Sequence, residues 1–555
     1  MKISRRAFSS GALSLAVGSQ LPSSALAQQR PTLAAALQAI RAYGDAHLRY
    51  YGLPGMTLGV TAPNGFATVI NFGDTNRETL APIPPIAPGA LFQIGSITKV
   101  MTALVIHQLA AESRLKLGDQ ASSLVPDVQL PAGSGITVQH LLDHRAGLPD
   151  FAPVAPEGGL WTGFPPGEHY YYSNTGYDIL TRIAESAGGK PLASLFAERI
   201  FAPLGMNRTR GAIVASDRQL YAQGYEPADT SVPYVRRGYG LVPAPWIDWS
   251  SGAGSVASTA EDMNLFLRAL TAIAQGRAGF GLDARSAAEF IRHSAPADAP
   301  GATYGNGLRH VVEGARSYLH HTGGMISFSS SFHLDRASGT GAFASTPLSA
   351  FASYRPRLLT RFATDVLTDL LAGRPLPRPR AFELQVANAG SYSGRYVGPS
   401  GSFEIRQGYP LTIVADGEAA ELQAWGGEAF RTTHPRFRAF ALLFDRRPTG
   451  IAGAAWGPTN FVREGVTARP ASSDPALALL AGRYVHPSPW WRAITVVERE
   501  GKLWLGTETP TTRIGDNLWR IGPESWSPER ASFADFVDGR PQALTFSGEK
   551  FRRAS

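Results

Sequence analysis

Three short motifs in fixed order hold the side chains able to do chemistry: Ser96-Ile97-Thr98-Lys99, Tyr172-Ser173-Asn174 and His321-Thr322-Gly323-Gly324. They supply a hydroxyl nucleophile, an amine that can deprotonate it, a phenol that can relay the proton, and an imidazole on a glycine-flanked strand. Serine does not attack carbonyls at neutral pH until a base takes its proton. An exposed lysine is protonated and cannot serve, whereas a buried lysine beside other positive groups can lose its proton. The set is therefore equipped for acyl transfer through an acyl-serine intermediate. Ser96, Lys99, Tyr172 and His321 are the catalytic candidates. Tyr172 is expected to relay the proton to the leaving group, its phenolate favoured by Lys99 and His321, and either Lys99 or Tyr172 can be the base. The expected oxyanion hole is the backbone N–H groups of Ser96 and Gly324. Asn174 and Gly323 complete the substrate-binding set, the small residues letting a substrate backbone approach. His320 precedes His321, so a register one residue off is open.

Ser-x-x-Lys alone decides little, because Ser113/Lys116 and Ser547/Lys550 repeat it, and Tyr304/Asn306 repeats Tyr-x-Asn. Context separates them. Ser96 follows Leu91-Phe92-Gln93-Ile94-Gly95 and opens an apolar helix. Residues i and i+3 share a helix face, so Lys99 can sit beside the Ser96 hydroxyl, and a helix N-terminus favours negative charge there. Ser113/Lys116 lies at a charged helix end and Ser547/Lys550 near the C-terminus, and both read as surface pairs. For Tyr172, the adjacent Tyr170 and Tyr171 fit a packed aromatic equally well. The flanking Pro165-Pro166-Gly167-Glu168-His169 and Asn174-Thr175-Gly176-Tyr177 favour function.

The elements that must position these residues follow from periodicity. Helical spacing marks Leu33 to Tyr50, Ser96 to Ala111, Tyr177 to Ala187, Ala260 to Ala272 and Arg357 to Leu371. Thr137 to His144 reads as a shorter helix with Thr137 as N-cap. Met56 to Val60 and Ala67 to Ile70 read as strands joined by the turn Pro63-Asn64-Gly65. From His321 the chain reads as strand, a turn at Ala337-Ser338-Gly339, and strand. These fall in one mixed unit over 28–373. Alternating proline in Arg374-Pro375-Leu376-Pro377-Arg378-Pro379-Arg380 forbids helix and central strand, so 374–382 reads as a semi-rigid linker. Short strand-like runs fill 383–555. There Gly394-Arg395-Tyr396-Val397 recurs as Gly482-Arg483-Tyr484-Val485. That repeat suggests two related β modules, about 388–470 and 478–555, or two halves of one barrel.

The 555 residues are too many for one core. Net charge is +8, falling to +5 without Lys2, Arg5 and Arg6, and no long basic run exists, so nucleic acid is not an expected partner. The absence of cysteine excludes disulfides, thiolate metal sites and cysteine nucleophiles. Ser4-Arg5-Arg6-Ala7-Phe8, a weakly apolar stretch from Gly11 to Leu21 and Ala25-Leu26-Ala27 read as a twin-arginine export signal over 1–27. The mature chain is then expected in the periplasm or secreted. No apolar run reaches spanning length, so no stable membrane span is expected.

The chain resembles the β-lactamase-related serine hydrolases of penicillin-binding-protein-like fold: class C β-lactamases, family VIII esterases, D-aminopeptidases and D,D-carboxypeptidases. The resemblance runs from about residue 40 to 370. It rests on the three motifs and on two phrases, Ile136-Thr137-Val138-Gln139-His140-Leu141-Leu142-Asp143-His144-Arg145-Ala146-Gly147-Leu148-Pro149 and Ser255-Val256-Ala257-Ser258-Thr259-Ala260-Glu261-Asp262-Met263. It implies an α+β catalytic domain, a helical part and an antiparallel sheet flanked by helices with the site between, followed by barrel-like modules like those of D-aminopeptidases. It implies no metal and no cofactor. Penicillin-recognising members carry lysine where this chain has His321, and imidazole near neutral pH is a conditional cation. By the same analogy, a barrel loop could reach the cleft and limit substrate size.

The expected substrate is a small molecule or peptide. The favoured activity is a peptidase on small or unusual peptides, containing D-residues or derived from linearised cyclic peptides; a carboxylesterase, a β-lactamase and a non-catalytic sensor remain alternatives. The pair His140 and His144 has zinc-peptidase spacing, but Leu141 stands where that motif needs glutamate. No Gly-x-Ser-x-Gly occurs, which disfavours an α/β-hydrolase. Trp161, Trp246 and Trp249 are candidates for an apolar substrate wall or for ordinary packing.

Overall fold

The computed structural model describes residues 30–554, apart from 74–85, 156–157, 230–239, 300, 353, 381, 383–385, 387, 409, 468–471 and 492. The export signal expected over 1–27 lies outside the described residues.

An eight-stranded antiparallel sheet organises the first part of the chain. Its order is Ala67–Phe72, Met56–Thr61, Gly341–Thr346, Ser329–Asp335, Arg316–Gly324, Leu308–Glu313, Ala302–Gly305 and Ala295–Pro296. The central strands Met56–Thr61, Ser329–Asp335 and Gly341–Thr346 are buried throughout. Met56–Thr61 and Phe332 to Asp335 alternate apolar with polar side chains, yet both faces are covered, and the polar members are satisfied inside, Thr57 donating to Asn71 at 2.8 Å and His333 bonding Thr360 at 2.8 Å. The helices Leu33–Tyr51 and Arg357–Leu371 pack on each other, the latter also on Ser329–Asp335. The helix Ala260–Ala274 packs on Met56–Thr61 and Gly341–Thr346.

The helical part is built around Thr98–Ala111. Every side chain from Thr98 to Leu109 is buried, polar Lys99, Thr102, His107 and Gln108 included, so this helix lies inside the protein with no solvent face along that stretch. Asn174–Gly188 packs beside it. The helix expected from Ser96 begins differently: Gly95–Ile97 forms a 3₁₀ turn that leads into the α-helix at Thr98. Tight turns of this kind are common at helix N-termini. The helix expected from Thr137 is Val138–Leu142, with Thr137 capping it and its hydroxyl accepting the His140 N–H at 3.2 Å.

Beyond the linker the chain forms two closed antiparallel barrels of eight strands, running Gly394–Gly398 to Thr459–Arg463 and Gly482–Val485 to Glu549–Arg553. The sequence repeat marks the first strand of each. Tyr396 and Tyr484 are fully buried, and their hydroxyls donate to the carbonyls of Tyr392 at 2.7 Å and Leu480 at 2.8 Å. Closure repeats as well. Tyr396 pairs with Arg463 and Tyr484 with Arg553, and each arginine also donates to the backbone preceding its barrel, at Ser393 and Ala481. Closing each sheet on itself removes its edges.

Candidate active site

The serine turn is locked onto the sheet. Gly95 adopts φ +56°, a backbone region that favours glycine, and a Cβ there would meet the Gly324 nitrogen at 2.6 Å. A Cβ on Gly323 would meet the Ile94 carbonyl at 1.8 Å, and Ser330 Oγ donates to that same carbonyl at 2.7 Å. Gly323 is thus a close-approach residue between strand and serine turn. The Tyr172-Ser173-Asn174 segment is fixed by its middle residue. Ser173 caps Asn174–Gly188, its hydroxyl donates to Pro149, and its N–H donates to His144 Nδ1 at 3.0 Å.

Ser96, Lys99, Tyr172 and Asn174 come together where these elements meet. Lys99 Nζ donates to Asn174 Oδ1 at 2.6 Å and to the Ala253 carbonyl at 2.7 Å, and stands 3.2 Å from Ser96 Oγ. Lys99 is 0 % exposed. Burial drives its ammonium down to about 7, against the pull of the Asp150 and Asp178 carboxylates. With two N–H bonds held by carbonyl oxygens, the neutral amine aims its lone pair at Ser96. The Tyr172 ring lies 4.9 Å from Lys99 Nζ. Burial pushes the Tyr172 phenol well above its ordinary value, although a hydrogen bond with Ser96 works the other way. The expected phenolate is therefore not favoured, because the desolvation of a buried anion outweighs its neighbours.

His321 is held as a neutral ring. Its pKa is driven well below the ordinary value by burial and by the Lys99 charge. Nδ1 donates to the Thr322 carbonyl at 2.6 Å, leaving Nε2 to accept the Tyr304 hydroxyl at 3.1 Å. His320, on the alternate face of the strand, stacks on His333 with ring centroids 4.0 Å apart, so His321 is the ring directed at Tyr304.

Several site residues carry no motif signal. Asp150 Oδ1 accepts both the N–H of Asn174 at 3.1 Å and its Nδ2 at 2.8 Å. Burial, with the Glu529 charge, raises the Asp150 carboxyl to about 7. Arg355 lies behind Gly324, donating to Ser329 Oγ, Ala350 and Tyr354, and burial lowers it only to about 10, so it stays cationic at neutral pH. Tyr304, set aside as a chance repeat, forms part of the site. Ser547, read as a surface residue, is buried and donates to Glu529, whose loop faces the catalytic domain; Lys550 is exposed and pairs with Asp535. Ser113 and Lys116 are both exposed. His140 Nδ1 accepts the Thr137 N–H, completing a helix cap, and His144 packs on Tyr172 with ring centroids 4.2 Å apart.

Ser96 opens into a cavity of about 900 Å³ whose far wall comes from the second barrel, including Trp490 and Trp491. Trp249 lines it as expected. Trp161 instead donates to Pro528 at 2.7 Å, in the contact between domains, and Trp246 packs on Tyr221 away from the cavity. The structure thus presents a serine, a buried amine of lowered pKa and a phenol at one end of an open cavity, the layout of a serine hydrolase.

The Beta-lactamase family model matches residues 34–358, and the chain belongs to that family. It is 31% identical over 218 residues to penicillin-binding protein 4* of Bacillus subtilis, covering 34% of this chain and 46% of that protein. It is 29% identical over 295 residues to a D-aminopeptidase of Brucella anthropi, covering 47% of this chain and 50% of that protein. The chain spans about half the length of the curated relatives it matches. Among solved structures, the octameric penicillin-binding protein homologue of Pyrococcus abyssi shares the fold, with a TM-score of 0.54 and 21% identity over 77% of this chain and 100% of that one.

Proposed function

We propose that the chain is a serine hydrolase that cleaves small or unusual peptides and amino-acid amides, including D-residue substrates, through an acyl-serine intermediate. The observation that carries the reading is the Lys99 amine, pinned by Asn174 and Ala253 and aimed at Ser96. In this reading the amine takes the Ser96 proton as Oγ attacks the substrate carbonyl. The backbone N–H groups of Ser96 and Gly324 stabilise the oxyanion. Tyr172, a neutral phenol hydrogen-bonded with Ser96, passes a proton to the leaving amine and recovers one from Lys99. Water then attacks the acyl-serine by the reverse relay.

The likeness to a D-aminopeptidase supports amide substrates; His321, held neutral, brings no charge to a substrate carboxylate, and Arg355 is a cation that lines this side of the cavity. Intact-mass analysis after a fluorophosphonate probe tests the serine: one adduct is expected, absent in Ser96→Ala. Screening of D- and L-amino-acid amides, esters and a chromogenic cephalosporin then ranks the substrates. An unlabelled Ser96 in folded protein would favour a binding protein instead. Export through the twin-arginine signal belongs to the same proposal, tested by fractionation of cells expressing the Arg5→Lys/Arg6→Lys double variant, which should retain the protein inside.

A further inference from the structure

We infer that the cavity contains a subsite for a large apolar side chain, aromatic by preference, formed jointly by Phe151 and Trp249 of the catalytic domain and Trp490 and Trp491 of the second barrel. The inference deepens the hydrolase reading, because the subsite shares its cavity with Ser96.

The four rings form a connected cluster. Trp249 and Trp490 have centroids 5.0 Å apart, Phe151 and Trp491 5.7 Å, and Phe151 and Trp490 6.4 Å. None of the three pairs is stacked face to face; they are tilted or edge-on, at distances where aromatic rings attract. The cluster is supported from behind. Trp249 and Trp490 pack on a buried group that includes Phe92, Ile213, Met325 and Phe328. Trp491 packs on Phe551 at 5.7 Å and His486 at 6.2 Å. Rings fixed in this way need little ordering when a ligand arrives.

The front of the cluster is open. Phe151 is 38 % exposed, and a large ring left facing water at a cavity mouth, with other aromatics around it, marks a place for an apolar partner. The wall continues through Ile494, Leu505 and Phe546. Of the charged groups lining the cavity, Arg309 pairs with Asp298 at 2.6 Å, and Asp150 and Arg355 are hydrogen-bonded to Asn174 and Ser329 at the serine end. The side chain that fits is thus uncharged and bulky. Because each domain gives half of the cluster, selectivity for that side chain depends on both.

The test is calorimetry on the full-length Ser96→Ala chain, which binds without turnover, with D- and L-phenylalaninamide against D- and L-alaninamide. The phenyl compound of at least one enantiomer should bind at least roughly tenfold more tightly than its methyl counterpart, in line with burial of an aromatic group. Adding Trp490→Ala, and separately Phe151→Ala, should each erase most of that preference. Thermal melts show whether each variant is folded, and Phe151 keeps the test valid if the barrel variant is not. Equal binding of the two amides, or a preference that survives both substitutions, overturns the inference. Failure of Ser96 to label in the wild-type chain would instead sink the hydrolase reading, and the calorimetry does not depend on it.

Discussion

Glu529, on the second barrel, accepts the backbone N–H of Asp150 through Oε1 at 2.7 Å. Asp150 in turn accepts from the backbone N–H and the Nδ2 of Asn174, whose Oδ1 accepts a hydrogen bond from Lys99 Nζ at 2.6 Å. A carboxylate from the far end of the chain is therefore connected through two side chains to the amine beside Ser96.

The connection has a sign. Glu529 raises the Asp150 carboxyl, and ionised Asp150 raises Lys99. Glu529→Gln keeps the acceptor but removes the charge. Asp150 then ionises more readily, Lys99 holds its proton more tightly, and the acid limb of kcat/KM moves to higher pH. Asp178→Asn removes a carboxylate that also raises Lys99, so it should move the limb the other way. pH–rate profiles of the two variants check both directions, and shifts of the same sign would break the scheme.

Lys99 itself sets the limb. Its ammonium titrates near 7, so activity should rise with pH through about 7 and level off above it. Lys99→Met should lower kcat/KM by roughly 10²–10⁴-fold, the range for losing a positioned proton-transfer group. A profile flat from pH 5 to 9 would exclude Lys99 as the group that must be deprotonated.

His321 should stay uncharged through neutral pH, with the proton on Nδ1. Nitrogen-15 NMR of labelled protein reads this directly. A His321 resonance that titrates between pH 6 and 7.5 would show that the imidazolium forms and would reopen recognition of carboxylate-bearing substrates.

Tyr396→Phe and Tyr484→Phe remove equivalent buried hydrogen bonds in the two barrels. Each should cost about 1–3 kcal/mol, because the Tyr392 or Leu480 carbonyl loses its partner. Urea unfolding monitored by tryptophan fluorescence measures both. A neutral effect at either site would show that the carbonyl finds another donor.

Much of this molecule could be read from local pattern. Arg357–Leu371 has the expected bounds because its apolar residues recur with helical period. Ser96 and Lys99 were legible because three residues of helix-like chain bring them together. Asp150 and Tyr304 were not, because nothing in their neighbourhood announces contact with Asn174 or His321; sheet pairing and helix docking place them there. The choice between two modules and one barrel was equally hidden. It depends on whether Tyr396 closes with Arg463 or with a more distant strand, and a repeat of sequence looks the same in either case. Ser547 was misread for a related reason: its position near the C-terminus gave no sign that the second barrel turns that end toward the catalytic domain.

The pairing of Trp249 with Trp490 sets a timetable for synthesis. Ser96, Lys99 and Tyr172 all leave the ribosome hundreds of residues before the strand Glu549–Arg553 closes the second barrel. Until that last strand pairs with Gly482–Val485, the cleft lacks its outer wall and Asp150 lacks Glu529. The outer wall and the Glu529 carboxylate are thus the last parts of the cleft to be synthesised, and turnover by a C-terminally trimmed chain would report a different, more open site.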